Sequence, residues 1–304
     1  MTIFHHHYHA FGLKIASPVA LPLPVAEPAG ASDVHIRFAA VAEALAQPSI
    51  QTPFLQIAPG KLWLCTPDGS RIGVRDGAEV TVDVAPAADM ALLQLYLTTT
   101  CMAALLHQRG ILVLHAAAMR VGQGAVLFAG ASTSGKSSLA AWFHQRGFEV
   151  LADDLCAIDD AGRLLPGPPQ LQLWGDVVRK LGLDASVLPR TRPQLERYIL
   201  PLPAPRGEPL PVRAVYVLKS RNVDHHTLEP LTGVEKFRAI HQNTAHPVFV
   251  AGFDLEAAHL ERCSTLVRRV EVVRLSRPDA AGYRFGKLFG LIASDLERLG
   301  LGAP

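Results

Sequence analysis

The sequence predicts an α/β protein: a core of apolar strands and helices around a glycine-rich loop, preceded by a smaller, mainly β domain. Three observations predict it. Residues 1–88 carry short alternating segments such as VHIRF and VTVDV, punctuated by Pro59-Gly60, Pro67-Asp68-Gly69 and Asp76-Gly77. From Ile111 the texture changes to near-continuous apolar runs alternating with helical patterns, as strands covered on both faces require. One of those runs, AVLFA, leads straight into GASTSGKSS.

The elements follow in order. Strands are expected at Ala10–Ile15, Val34–Phe38, Phe54–Ile57, Leu62–Cys65, Arg71–Val74 and Val80–Val84, which gives a mainly β accessory domain over 1–88. Leu21–Ala31, rich in proline and alanine, reads as a loop. A linking helix fits Met90–Gln108 within 89–109, closed by Gly110. The main domain, 110–304, has strands at Ile111–Leu114, Ala125–Ala129 and Val150–Ala152. Proline-rich loops at Leu164–Pro169 and Leu200–Pro211 follow. Strands at Ala214–Leu218 and Val270–Leu275 then alternate with helices near Val234–His241, Leu255–Arg268 and Ala280–Leu299.

Bulk properties exclude several classes. The chain has 304 residues, 49% hydrophobic and 18% charged, so a sizeable core is available. A formal net charge of +2 with interspersed signs gives no reason to expect nucleic acid or an anionic membrane as partner. The apolar run Met90–Leu106 contains Gln94 and three threonines, and reads as too polar and slightly short for a membrane span. With no signal-peptide pattern at the start, a cytoplasmic protein is expected. Cys65, Cys101, Cys156 and Cys263 form no CxxC pair and read as free thiols. The stretch HHHYH, His5–His9, has no acidic or thiol neighbour to complete a metal site, so an incidental role is expected.

Gly130-Ala131-Ser132-Thr133-Ser134-Gly135-Lys136-Ser137 matches GxxxxGK[ST], with Ser138 following. Glycines at both ends let the backbone fold into a nest of inward-pointing amides. The helix that starts there adds its free amides and dipole. Lys136 supplies a full charge to the outer phosphates of a nucleotide, and Ser137 a hydroxyl to a magnesium ion. Leu139, Trp142 and Phe143 give the helix an apolar face, and Gly147 stands where a C-cap belongs.

The next strand runs into Asp153-Asp154, seventeen residues after Lys136. In a parallel sheet its carboxyl end comes beside the loop. One carboxylate there can accept a proton from an attacking hydroxyl while the other holds magnesium. His115, at the end of the preceding apolar run, can hydrogen-bond Asp153 or Asp154. Arg190, Arg192 and Arg197 share one stretch read as loop and helix. Arginines meet phosphates and carboxylates, although a solvated charged face is the plainer account. Trp174 can stack on a base or a peptide, although burial is the commoner fate of tryptophan.

Together, LHAAA, GASTSGKSS and GFEVLADD, across about residues 110–160, resemble the C-terminal domain of HPr kinase/phosphorylase, whose core is shared with phosphoenolpyruvate carboxykinases. The resemblance implies an HPr kinase C-terminal-domain-like P-loop core, with ATP and Mg2+ as cofactors. It implies that Gly130, Gly135 and Lys136 bind the β-phosphate and its neighbours, and that Ser137 holds magnesium with Ser138 assisting. Asp153 would be the catalytic base, Asp154 would support it or the metal, and His115 would bond within the acidic cluster. No NKxD-type guanine motif argues for a small GTPase. The ExRGxG-like signature of the bifunctional enzymes has no counterpart: the stretch reads PPQLQLWGDVVRKLGL, with Gln170 and Gln172 and no such glutamate.

Over more of the chain, the sequence resembles the HPr-kinase-like proteins of lasso peptide biosynthesis. Tyr8–Ser17 matches their YxxFGLxIxS start, Leu105–Ala116 their LLHQRGxLxLHA stretch, and Pro166–Trp174 their PG-x-PxLxLW stretch. That likeness implies phosphorylation of the C-terminal serine of a precursor peptide. Two other readings stay open: a kinase of another acceptor, such as an HPr-like protein or a sugar, and a nucleotide-gated binding module that transfers nothing. Homo-oligomerisation is left open as well.

Overall fold

A computed structural model describes residues 5–28, 30–192, 195–205, 208–221, 223–278 and 285–302. The first five residues of the expected helix near Ala280–Leu299 lie outside the described residues. The chain forms a mixed α/β structure with several sheets in two compact units. One comprises Met1–Val113 and His246–Leu260, the other Leu114–Ala245 and Glu261–Pro304.

The first unit is built on an eight-stranded sheet. Its spatial order is His6–Ala10, Leu13–Ser17, Val34–Phe38, Glu79–Asp83, Arg71–Arg75, Lys61–Cys65, Leu55–Ala58, Ile50–Gln51. Val34–Phe38 pairs parallel on both sides, and every other pairing is antiparallel. Alternation buries Val34 and Ile36, Ile72 and Val74, Val80 and Val82 on one face. The expected strand over Ala10–Ile15 is broken by a hairpin turn: Leu13–Ile15 is strand, and Ala10 ends the strand before it. Phe11 and Gly12 both have positive φ, 53° and 73°, the two-residue turn whose twist matches the flanking strands.

Met90–Gln108 is helical throughout, and Asp89 caps it by accepting from the amides of Ala91 and Leu92. Its middle, Leu97–Cys101, widens into a π turn. There the Thr98 and Thr99 hydroxyls donate back to the Gln94 and Leu95 carbonyls and compete with the regular ladder. At 19 residues and a mean hydropathy of 1.4, the helix does meet the minimum for a membrane span, contrary to the sequence expectation. Yet 61% of its most apolar window is buried, the environment of a core helix. Arg109, just past its end, donates to the carbonyls of Gly77 and Asp33 and ties it to the sheet of the first unit.

The second unit is organised by a mixed sheet. Gly124–Gly130, Leu210–Arg221 and Glu271–Pro278 run parallel at its centre. Thr227–Pro230 adds antiparallel to Glu271–Pro278. On the other side the sequence reading needs correction. Ala116–Val121, read only as the small residues after a strand end, is itself a strand, antiparallel to Gly124–Gly130. Its alanines have low β propensity, but a strand this buried favours small side chains. Val150–Ala152 pairs antiparallel with it in turn. The sheet is therefore not purely parallel. Two reversals nevertheless leave Val150–Ala152 running the same way as Gly124–Gly130, so both strands end at the same edge.

Helix Lys136–His144 packs Trp142 and Phe143 against Phe128 of the sheet and Phe289 of helix Phe285–Arg298. Tyr216, fully buried beside Phe128, donates its hydroxyl to Asp295. A separate two-stranded ribbon pairs Gln170–Trp174 with Arg197–Pro201. Leu171 and Leu173 anchor it in the same core. Arg197 thus lies on a strand, not in the loop-and-helix stretch expected.

Candidate active site

The glycine-rich loop joins strand Gly124–Gly130 to helix Lys136–His144. Gly130 has φ 150°, and a Cβ there would stand 2.9 Å from the Leu218 carbonyl and 2.7 Å from the Ser134 hydroxyl. Only glycine fits. Ala131, Ser132 and Thr133 form the exposed tip, with Thr133 at φ 65°. The Ser134 amide closes the turn on the Ala131 carbonyl at 3.1 Å. Gly135, left-handed at φ 97°, starts the helix, and no side chain caps its first-turn amides. Lys136 is buried, and its ammonium donates to the Gly130 and Ala131 carbonyls at 3.0 Å each. Ser138 is buried beside it.

Strand Val150–Ala152 delivers the two acids. The Leu155 amide returns to the Asp153 carbonyl at 2.8 Å, which makes a three-residue turn centred on Asp154 at φ 66°. Such turns are rare and strained. This one presents both neighbouring carboxylates near the loop, where an extended strand would point them to opposite faces. Asp153 accepts from the Ser137 hydroxyl at 2.9 Å and from the Gln172 amide at 3.1 Å. Asp154 stands 3.6 Å from Nε2 of His115 and 3.3 Å from the Arg197 guanidinium. His115 is fixed by its own amide, which donates to the Asn243 carbonyl at 2.7 Å.

The two carboxylates are driven apart. Burial, together with the charge of Asp154, pushes Asp153 up to about 7, against the hydrogen bonds from Gln172 and Ser137. Burial acts on Asp154 in the same sense, but His115 and the Arg197 guanidinium outweigh it and hold that carboxyl below its usual range. Burial lowers Lys136, and the two acids partly restore it. Burial raises the Cys156 thiol just behind the acids well above its ordinary value and leaves it inert.

One cleft of about 420 Å³ is lined by His115, the loop residues Ser132, Thr133 and Gly135, Lys136 to Ser138, Asp154, Gln172, Trp174 and Arg197, while Asp153 reaches it through Ser137 and is not itself part of the lining. Lys136 lies close enough to Asp154 and Arg197 across this lining to feel both charges. The structure thus brings together the loop, Lys136, Ser137, both acids and His115. The hydroxyl of Ser137 meets Asp153, not Asp154. Sequence reasoning missed the Gln172 amide, because a backbone contact leaves no trace in residue type. It had named Trp174 and Arg197 separately but could not see them as a pair. They are directly opposed across the ribbon although far apart in sequence. Arg190 lies instead over the Tyr198 ring, 5.5 Å from its centroid.

The cleft suits a nucleotide triphosphate with Mg2+. The Ser134 hydroxyl is buried with no hydrogen-bond partner, and the uncapped amides of the helix start sit beside it. Ser137 and Asp153 form a hard oxygen pair of the kind magnesium takes. Among the described residues, the cleft included, no group of three or more His, Cys, Asp or Glu side chains is arranged to hold a metal. His6 of the histidine-rich strand stacks on Tyr8, and none of Cys65, Cys101, Cys156 and Cys263 is in a disulfide.

No family model matches the chain, and no curated protein matches it. Among solved structures, the HPr(Ser) kinase/phosphatase from Coxiella burnetii is similar, with 14% identity and a TM-score of 0.30, over 62% of this chain and 92% of that one. A likeness of that size carries no argument, so the chemistry rests on the cleft itself.

Proposed function

We propose that this protein is an ATP- and Mg2+-dependent phosphotransferase that phosphorylates a serine hydroxyl of a peptide. The single observation behind this reading is the Ser137–Asp153 contact at 2.9 Å, which joins the glycine-rich loop to the acidic pair. A module that only binds nucleotide needs the loop but not two carboxylates with opposed ionisation beside it.

In this reading the loop amides and Lys136 hold the outer phosphates of ATP. Ser137 with the acidic pair would hold magnesium, which would offset the charge on those phosphates. Ser137 can serve the metal or Asp153; in serving the metal it leaves an Asp153 oxygen open. Asp153, near neutrality in its affinity for a proton, takes the proton of the acceptor hydroxyl. Asp154 stays charged between His115 and Arg197 and keeps that proton on its neighbour. The hydroxyl oxygen bonds to the terminal phosphorus as the bond to the β–γ bridging oxygen breaks, and ADP leaves.

The finer acceptor, the C-terminal serine of a lasso precursor, is supported by the sequence resemblance over Tyr8–Ser17, Leu105–Ala116 and Pro166–Trp174 alone. The test uses γ-labelled ATP with serine peptides, an HPr-like protein and sugars. Label is expected on peptide serine. Asp153→Asn is expected to abolish transfer and, measured without Mg2+, to leave nucleotide affinity within about threefold, since it removes a base and no phosphate contact. Nucleotide binding with no labelled product from any acceptor would reduce the protein to a binding module.

A further inference from the structure

Trp174 and Arg197 are a cross-strand pair on the ribbon Gln170–Trp174/Arg197–Pro201. The guanidinium lies over the indole, 5.7 Å from the ring centroid. Its ties are incomplete: it reaches Asp154 at 3.3 Å, a long charge-assisted bond, and its buried Nε has no partner. The indole is 43% exposed at the cleft, unusual for so large an apolar side chain. Their position fixes which substrate they meet. Lys136 and the loop amides serve the phosphates from the loop side. A hydroxyl attacking the terminal phosphorus must come in line, from the side of the acids. Arg197 is in direct contact with one of those acids.

We infer that Trp174 and Arg197 form the acceptor subsite, where Arg197 takes a carboxylate carried beside the acceptor hydroxyl and Trp174 covers the adjoining chain. This rests on the kinase reading for the placement of the acceptor. The carboxylate meets guanidinium N–H groups that Asp154 does not use, and Arg197 stays beside Asp154. Discrimination therefore lies in a cation already held in place by its strand and by the indole. Two sources carry such a group: the chain terminus of a peptide ending in serine, and an aspartate next to serine inside a chain.

The probes are three short peptides: one ending in serine as the free acid, the same peptide amidated, and an amidated peptide with aspartate before the serine. Binding is read by the fluorescence of Trp174, isolated by difference from Trp174→Phe, with Mg2+ and a non-hydrolysable ATP analogue present. The carboxylate-bearing peptides are expected to bind roughly tenfold or more tightly than the plain amide, and whichever of the two binds better names the source. Arg197→Gln is expected to erase that preference with nucleotide affinity unchanged, and Arg197→Lys to restore part of it. Three outcomes overturn the subsite: a preference that survives in Arg197→Gln, no preference in the wild-type protein, or a tenfold loss of nucleotide affinity in Arg197→Gln. Carboxylate binding that depends on Arg197 without any transfer to peptide would instead defeat the kinase reading and leave the subsite standing.

Discussion

Two turns in this protein are built from the same residue types and do opposite things. In the first unit, Thr66–Ser70 closes on itself. The Thr66 hydroxyl donates to the Ser70 carbonyl at 2.9 Å, and Asp68 accepts from that hydroxyl and from the amides of Ser70 and Asp89. The Ser70 hydroxyl accepts from Ala85. Burial acts to raise Asp68, but these hydrogen bonds bring it down to about 2. In the second unit the 130–137 loop leaves its groups open: a buried serine hydroxyl without a partner, helix amides without a cap, and a buried lysine resting on its own loop carbonyls. A turn that satisfies its own polar groups is structure. A turn that leaves them aimed at nothing in the chain is shaped for something else.

The contrast breaks most visibly at Lys136. Lys136→Met keeps the buried stem and removes the charge. Transfer is expected to fall by about a thousandfold or more. Thermal stability should hold or rise, since a desolvated ammonium is lost, and calorimetry together with labelled-ATP transfer checks both. Gly130→Ala comes next. The new methyl meets the Leu218 carbonyl at 2.9 Å in a conformation hostile to any side chain. A loss of about 1–3 kcal/mol is expected in denaturant unfolding, along with loss of nucleotide binding.

In the closed turn, Asp68→Ala should cost about 1 kcal/mol at neutral pH and leave nucleotide affinity unchanged. Asp68 has a depressed folded-state pKa, so its contribution is present above about pH 4 and lost as pH falls through about 2. Urea unfolding of wild type and variant should therefore converge on acidification. Asp153 has the opposite sign. Its folded-state pKa is raised to about 7, so the native state binds the extra proton between about pH 4 and 7, and stability falls as pH rises through that window. Asp153→Asn is expected to remove that fall and raise the melting temperature at pH 8 by about 2–4 °C. An unchanged pH dependence would show that the carboxyl is already ionised near pH 4.

Much of this was legible in the sequence, for identifiable reasons. The loop, its helix and the acidic pair are local: each is a short run whose residue types dictate its backbone. Strands such as Val34–Phe38 and Val150–Ala152 announced themselves by alternation or apolar continuity. Ala116–Val121 did not, because what makes it a strand is burial between two partners rather than propensity. Nor could the Trp174–Arg197 pair be read, since QLQLW and RYILP meet only through the pairing of two distant strands. The turn at Asp154 was equally hidden. Nothing in Asp-Asp says that the second residue has a positive φ, although that is what brings both carboxylates to one edge.

The smallest expected effect is the sharpest test of the contrast, because it compares one atom with its counterpart. Ser70→Ala removes a hydroxyl that accepts from the Ala85 amide and strands a donor, so stability should fall by about 1–2 kcal/mol with nucleotide affinity untouched. Ser134→Ala removes a buried hydroxyl that the chain itself does not use. The free protein should lose nothing and is expected to melt about a degree higher, since an unmatched polar atom has gone. Nucleotide affinity should drop by about three- to tenfold, the value of one ordinary hydrogen bond. If Ser134→Ala instead destabilises the free protein as Ser70→Ala does, the hydroxyl has a partner in the fold, and the loop is a closed turn like the other.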